Sequence, residues 1–394
     1  MESIKDKVAI IGMGCSNFGE LWDTDEEDLI IDATHEAYAD AGINQDEIQA
    51  AWVGTIMAMT GASIASPLKL NYIPVTHVEN GCATGYDTLR HAAFGLASKS
   101  YDLVLAVGFE KLKDEGYGGL PVRKAADKIH PVYGYGRSGP SLYALAATRY
   151  FHRYGLSREE GKRTLAKISV KSHHNGARNP KAHLQFEVSL EQAMNAPMIA
   201  WPLGLFDCCG VTDGASAAIM CRTEDAKKYR DDYITIKGFG LCVGPGQGKI
   251  NTDYDFTHWE ETKRASQFAY QEAGIKDPRK ELDMVELHDC FSIAELIAFE
   301  SLGLCEYGHG KEDVDSGAIT QEGDIPVNLS GGLKSFGHPV GASGGREVYE
   351  IYKQIQGKAE NPSRQLKKIN LGLAHNQGGH PGKFMCATCI IGRP

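Results

Sequence analysis

His77-Val78-Glu79-Asn80-Gly81-Cys82-Ala83-Thr84-Gly85-Tyr86 sets a cysteine between two glycines where an extended run turns into a helix. Upstream, Ile73 to Val78 reads as a short strand; downstream, Leu89, Ala92, Ala93 and Leu96 recur at helical spacing. Cys82 therefore falls near a helix N-terminus. There, unpaired N–H groups and the positive end of the helix dipole favour the thiolate, the nucleophilic form of cysteine. The plain alternative is a small buried apolar residue, the commoner fate of a single cysteine.

The rest of the composition is that of an ordinary globular protein. At 394 residues and 42% hydrophobic, the chain is long enough for two or more domain-sized units around a sizeable core. A formal net charge of −10 offers no general attraction to nucleic acid or to an anionic membrane, so a phosphate-bearing ligand must meet a local basic patch. The 10 cysteines follow no disulfide-framework spacing. The polar start, Met1-Glu2-Ser3-Ile4-Lys5-Asp6-Lys7, and the lack of a long apolar run point to reduced thiols in a cytoplasm. Cys386-Ala387-Thr388-Cys389 lacks a second pair of ligands and reads as a buried strand rather than a zinc site. Cys208 and Cys209, adjacent in sequence, do not readily bridge to each other and are expected to face different sides.

Outward from Cys82, strand and helix alternate. Val8 to Gly14 reads as a buried strand, and the glycines that follow do not complete a dinucleotide-binding fingerprint. Glu27 to Ala41 has a helical pattern that stops at Gly42, and Ala51 to Met57 reads as the next strand. After the Cys82 helix comes the apolar run Asp102 to Glu110, so the opening third is a parallel α/β layer.

The same order returns. Ala37-Tyr38-Ala39-Asp40-Ala41-Gly42-Ile43 is matched by Ala269-Tyr270-Gln271-Glu272-Ala273-Gly274-Ile275, and each is followed by a strand, Ala51 to Gly54 or Met284 to Leu287. Gly81-Cys82-Ala83-Thr84-Gly85 is matched by Val340-Gly341-Ala342-Ser343-Gly344, and Leu103 to Phe109 by Ile369 to Leu373. Two halves about a pseudo-twofold axis would bring the matched loops together, Cys82 from one and His338 from the other.

Between the halves lies a stretch poorer in strand signal. Gly116 to Pro121 reads as a loop and Leu142 to Tyr154 as a helix. Val170 to Lys181 gathers Lys171, His173, Arg178 and Lys181 in an otherwise acidic chain: a solvated basic face, or a dock for the phosphates of a nucleotide tail. In the second half, His288-Asp289-Cys290-Phe291 sits at a strand-to-helix turn, and Gly337-His338-Pro339 holds a histidine between a flexible and a rigid residue. Ala374 to Gly382 reads as a glycine-dense turn whose N–H groups can approach a ligand oxygen.

Gly81-Cys82-Ala83-Thr84-Gly85, His288-Asp289-Cys290-Phe291, Gly337-His338-Pro339 and the Gly378-Gly379 turn, in that order and with that duplication, resemble a thiolase over essentially the whole chain. More narrowly they resemble the sterol-carrier-protein-type and archaeal members, whose His-Asp-Cys-Phe stands where the commonest members have Asn-Glu-Ala-Phe. The resemblance implies an α/β thiolase fold, two duplicated half-domains in a five-layered αβαβα arrangement with an inserted loop domain. Residues 1–110 with 203–240 would form the first half, 111–202 the insertion, and 241–394 the second half. It also implies acyltransferase chemistry without metal or bound cofactor, CoA being substrate and product. His338 would deprotonate Cys82, which carries the acyl group; Cys290 would move the alpha-carbon proton; His288 and His338 would stabilise the enolate. The backbone N–H groups of Cys82 and Gly378 would hold the tetrahedral oxyanion. One departure matters: His375 stands where the commonest thiolases have a second cysteine, leaving Cys290 as heir to its proton-transfer role and His375 as the rival.

The same resemblance implies a homodimer and a small partner protein with an OB fold and a zinc ribbon. Two substrates follow from it: benzoylsuccinyl-CoA, cleaved to benzoyl-CoA and succinyl-CoA in aromatic degradation, or acetyl-CoA condensed to acetoacetyl-CoA for the mevalonate pathway. Tyr117, Tyr133, Tyr135 and Tyr143, with the unusual Asn80-Gly81, lean the reading toward the bulkier substrate, although such tyrosines also suit an interface. Against a thiolase-fold aldolase stands the nucleophilic cysteine such a lyase does not need. Against a non-catalytic acyl-CoA scaffold stands the presence together of Cys82, His288 and His338; and a ketoacyl synthase is not expected to show His-Asp-Cys-Phe.

Overall fold

The computed structural model describes residues 3–115 and 138–394. Nine strands form one order: β1 (Val8–Cys15), β2 (Ala50–Gly54), β3 (Val75–Val78), β4 (Leu103–Lys111), β5 (Asp213–Arg222), β6 (Ile234–Val243), β7 (Met284–Leu287), β8 (Leu371–His380) and β9 (Lys383–Gly392). Their spatial sequence is β3-β2-β4-β5-β1-β6-β9-β8-β7. From the centre outward, each half reads as a first strand, a strand antiparallel to the next, then parallel strands at the edge. A parallel bridge from Val285 to Val327 supplies the counterpart of β3. The duplication read from short sequence matches is thus a duplication of topology.

The halves join where β1 and β6 pair over two positions, Ala9 with Thr235 and Ile10 with Ile234. The expected boundary at residue 240 falls inside β6, which pairs with β9 along most of its length. Long helices complete the layers: α1 (Glu26–Ala41), α2 (Thr84–Ala97), α3 (Gly139–Arg153), α4 (Arg158–Ala177), α5 (Glu260–Ala273), α6 (Ser292–Ser301) and α7 (Val340–Gln356). One core joins Ala92 and Leu96 of α2 and Val348 and Ile351 of α7 to Val104 and Ala106 of β4 and to Ala374 and Cys389 of β8 and β9. α1 covers the outer face of the first half through Leu29, Ile30 and Ala33. α5 covers the outer face of the second through Ala265, Ala269 and Tyr270. The result is the αβαβα thiolase fold.

The two central helices cross at residues matched in the repeat. A Cβ on Gly85 would lie 2.9 Å from Gly341 O and Gly344 N, and one on Gly344 2.7 Å from Tyr86 N. Only glycine permits that approach, and it brings the turns before α2 and α7 to one place. Gly42 ends α1 with φ 70° in the left-handed region, as its C′ position requires. Cys386 and Cys389 are buried in β9, and all ten cysteines are free. Of the insertion, α3, α4 and a small hairpin (Met198–Ala200 with Leu203–Gly204) are described. The Gly116 to Pro121 loop, Tyr117, Tyr133 and Tyr135 lie outside the described residues. Among the described residues no helix is long and apolar enough to cross a membrane.

Candidate active site

Four segments meet at Cys82. It lies two residues before α2. His288 and Cys290 occupy the turn between β7 and α6, and His338 the turn before α7. The Sγ of Cys82 and one ring nitrogen each of His288 and His338 lie within 4.8 Å of one another, and the two rings stand edge to face, centroids 5.2 Å apart. The fourth segment is β8. The stretch expected as a turn after a strand is strand through His380, and Gly378 within it presses on the nucleophile turn. A Cβ on Gly378 would come within 2.7 Å of Asn80 O and 2.8 Å of Cys82 N, so a side chain there is excluded.

The hydrogen bonds fix which nitrogen of each neutral ring carries the proton. Ser343 Oγ donates its one proton to Pro339 O at 2.8 Å, so at 2.7 Å from His338 Nδ1 it accepts. Nε2 of His338 is then the unprotonated nitrogen; it is buried with no hydrogen-bond partner among the described residues. His288 Nδ1 donates to Asn376 Oδ1, while Asn376 Nδ2 donates to Glu347, 3.3 Å from each carboxyl oxygen. Tyr86 OH also donates to Glu347, and Arg346 lies 3.4 Å from it. Asp289 is spent on structure: it pairs at 2.9 Å with buried Lys334, tying the His288 turn to the segment that leads into His338.

Burial sets the charges. It pushes the Cys82 thiol from its ordinary 9 up to about 12, with Cys209 and Glu110 adding repulsion. Burial thus opposes the thiolate that the helix terminus favours. Burial drives His338 well below its ordinary range, with His288 and Arg346 adding to it, and lowers His288 to about 4 against its bond to Asn376. Both rings are neutral at pH 7. Burial also raises Cys290 well above its ordinary value, helped by Cys209 and Cys82 and opposed by a hydrogen bond from Tyr143. Tyr143, from α3 of the insertion, packs 4.6 Å from Phe291 and meets Gln377 Nε2 at 3.5 Å.

The basic segment does not converge. Lys171 is buried and pairs with Glu295; Lys181 bonds Glu36 at 2.7 Å; His173 is buried, its Nδ1 donating to Phe186 O at 3.2 Å. Arg178 reaches Gln321 at 3.1 Å. These contacts tie α4 and the segment after it to their neighbours. His375 is wholly buried, both ring nitrogens without partners among the described residues, and its donor atoms lie outside the Cys82 cluster. Sequence reasoning passed over Asn376, Glu347 and Ser343. Asn376 stood inside a quoted motif, but its role depends on a carboxylate 29 residues away.

The chain belongs to the thiolase family. The thiolase N-terminal domain matches residues 8–224 and the thiolase C-terminal domain-like family residues 246–392. It is a CoA-dependent thiolase, an acyltransferase. It is 39% identical to an acetyl-CoA acetyltransferase of Methanocaldococcus jannaschii over 95% of this chain and 96% of that one. It is 37% identical to the acetyl-CoA acetyltransferase of Methanothermobacter thermautotrophicus (95% and 97%), and 32% identical to benzoylsuccinyl-CoA thiolase subunit BbsB of Thauera aromatica (95% and 96%). In fold it is similar to an Ltp2-ChsH2(DUF35) aldolase, TM-score 0.85 at 23% identity over 99% and 98% of the chains. It is also similar to human mitochondrial 3-ketoacyl-CoA thiolase, TM-score 0.71 at 17% identity over the whole of both.

Proposed function

We propose that Cys82 carries the acyl group in the cleavage of a 3-ketoacyl-CoA, or in the reverse condensation, with His338 as its base. The observation that supports this most is the convergence of Cys82, His288 and His338 from three separate turns to within 4.8 Å. The bare Nε2 of His338 takes the thiol proton as Sγ attacks the 3-keto carbon. The backbone N–H groups of Cys82 and Gly378 hold the resulting oxyanion. The C2–C3 bond breaks, an acyl-thioester forms on Cys82, and the departing enolate takes a proton from Cys290. CoA thiol then attacks the acyl-enzyme and gives its proton to the Cys290 thiolate, while the protonated His338 returns its proton to the sulfur of Cys82 as that sulfur leaves. Since His288 spends its Nδ1 proton on Asn376, it steadies the enolate only with a proton on Nε2.

For substrate we favour a short acyl group, acetoacetyl-CoA in either direction. Two archaeal acetyl-CoA acetyltransferases are relatives at 37% and 39% identity, and Tyr143, the one tyrosine of the four within the described residues, fills space against Phe291 rather than opening a pocket. Benzoylsuccinyl-CoA is the second reading, supported by the 32% relative. We also propose a homodimer in a cytoplasm, a small OB-fold and zinc-ribbon partner, and the expected three-part domain division with its join moved ahead of β6. The aldolase neighbour with a DUF35 component motivates the partner. A panel of 3-ketoacyl-CoA esters with CoA, products read by mass spectrometry, tests the reaction and the substrate together: two acyl-CoA products are expected. Cleavage that proceeds without CoA would overturn it in favour of a lyase.

A further inference from the structure

Two imidazole nitrogens and a thiol converge on one point with a single proton among them. His338 gives its Nδ1 proton to Ser343 and His288 gives its own to Asn376, so each neutral ring keeps its lone pair at Nε2. Nε2 of His338 is buried and meets no hydrogen-bond donor among the described residues. A thiol and two neutral imidazoles are the donor set that zinc-class ions take. Metal-bound histidines also anchor their second nitrogen to an oxygen, as both rings do here.

We propose that Cys82 Sγ with Nε2 of His288 and of His338 forms a binding site for a borderline-soft divalent cation of the Zn²⁺ class, and that occupancy reversibly shuts the acyl-transfer centre. Bonds of about 2.3 Å to sulfur and 2.0–2.1 Å to nitrogen place tetrahedral donors roughly 3.3–3.6 Å apart. The donor atoms, all within 4.8 Å of one another, need close by no more than roughly 1.5 Å. On binding, the Sγ–H bond breaks, the sulfur–metal bond forms and the proton leaves to solvent, with no change of oxidation state. Affinity therefore rises with pH. A metal-bound thiolate no longer attacks and the occupied His338 no longer accepts a proton; this inhibitory consequence, though not the binding, rests on the roles assigned above.

Co²⁺ is the probe. Titration of the metal-free enzyme is expected to give one equivalent bound, with a thiolate-to-cobalt charge-transfer band that Zn²⁺ displaces and EDTA abolishes. Saturating Zn²⁺ is expected to slow iodoacetamide alkylation of Cys82, followed by peptide mass spectrometry, at least about tenfold. Cys82→Ser removes the band. Asn376→Ala keeps all three ligands yet weakens binding about 10- to 100-fold by releasing His288, and Cys242→Ala changes nothing. A band that survives Cys82→Ser, or an unchanged alkylation rate in saturating Zn²⁺, overturns the site. Turnover measured in EDTA is independent of this test. Active enzyme that binds no Co²⁺ sinks this inference alone, while enzyme that binds Co²⁺ at Cys82 yet turns over no thioester sinks the acyl-transfer reading alone.

Discussion

The turn that carries Cys82 and the turn that carries His338 occupy the same place in the two halves, and each leans on the same hydroxyl in a different way. Thr84 and Ser343 are matched residues of the repeat, both in the first turn of their helix. In the first half Thr84 Oγ1 accepts from the backbone N–H of Asn80 at 2.8 Å, fixing the approach to Gly81. In the second, Ser343 Oγ accepts from the His338 ring at 2.7 Å, fixing a tautomer. The matched positions do not hold matched chemistry, since Cys82 corresponds to Gly341, three residues past His338. Duplication supplied two equivalent backbones; the side chains proposed for catalysis, Cys82 and His338, stand at different steps along them.

The largest expected effect breaks the comparison at its chemical end. Cys82→Ala should leave the fold intact and lower turnover below roughly a hundredth of the parent, and brief incubation of the parent with substrate lacking CoA should add one acyl mass to the peptide containing Cys82. Label on Cys290 instead would exchange the roles of the two thiols. Next in size is the alpha-carbon step. Cys290→Ala should still become acylated on Cys82 but lose solvent-deuterium exchange into the thioester by about 10² to 10⁴, the range for general acid–base catalysis. His375→Ala is the counter-test: if it abolished exchange while Cys290→Ala kept it, the histidine would own the step.

The two hydroxyls sharpen the comparison further. Ser343→Ala frees the His338 ring and is expected to lower kcat about 10- to 100-fold with little change in melting temperature. Thr84→Ala removes a turn-fixing acceptor and is expected to cost about 1 kcal/mol of stability with kcat nearly unchanged. Equal effects on kcat would mean that both serve only the fold. The last effect concerns pH. Burial lowers His375 to about 3 from an ordinary 6.5, so the unfolded chain takes up a proton first. Stability is complete above about 6.5 and is lost as pH falls toward 3, by about 2 kcal/mol at pH 5 for such a group. His375→Leu should flatten that part of the unfolding curve; an unchanged pH slope would mean the ring is solvated in the native state.

Local chemistry made much of this legible in the chain. Alternating apolar runs gave the strands, Gly42 ended its helix, and the short matches around Ala37 and Ala269 disclosed two halves because duplicated packing keeps its small and aromatic residues. The ordered set of Cys82, His288, Cys290 and His338 was readable because each sits at a strand-to-helix or loop-to-helix junction with its own local signature. What the sequence could not determine was direction. That Lys171 pairs with Glu295 and Lys181 with Glu36 was not to be read from the basic run itself. Gly378 looked like a turn until β8 was seen continuing past it against Cys82. The surroundings of Cys82 were decided last, because a helix terminus is a property of neighbours in sequence, whereas the desolvation that opposes it comes from residues brought together only by the fold.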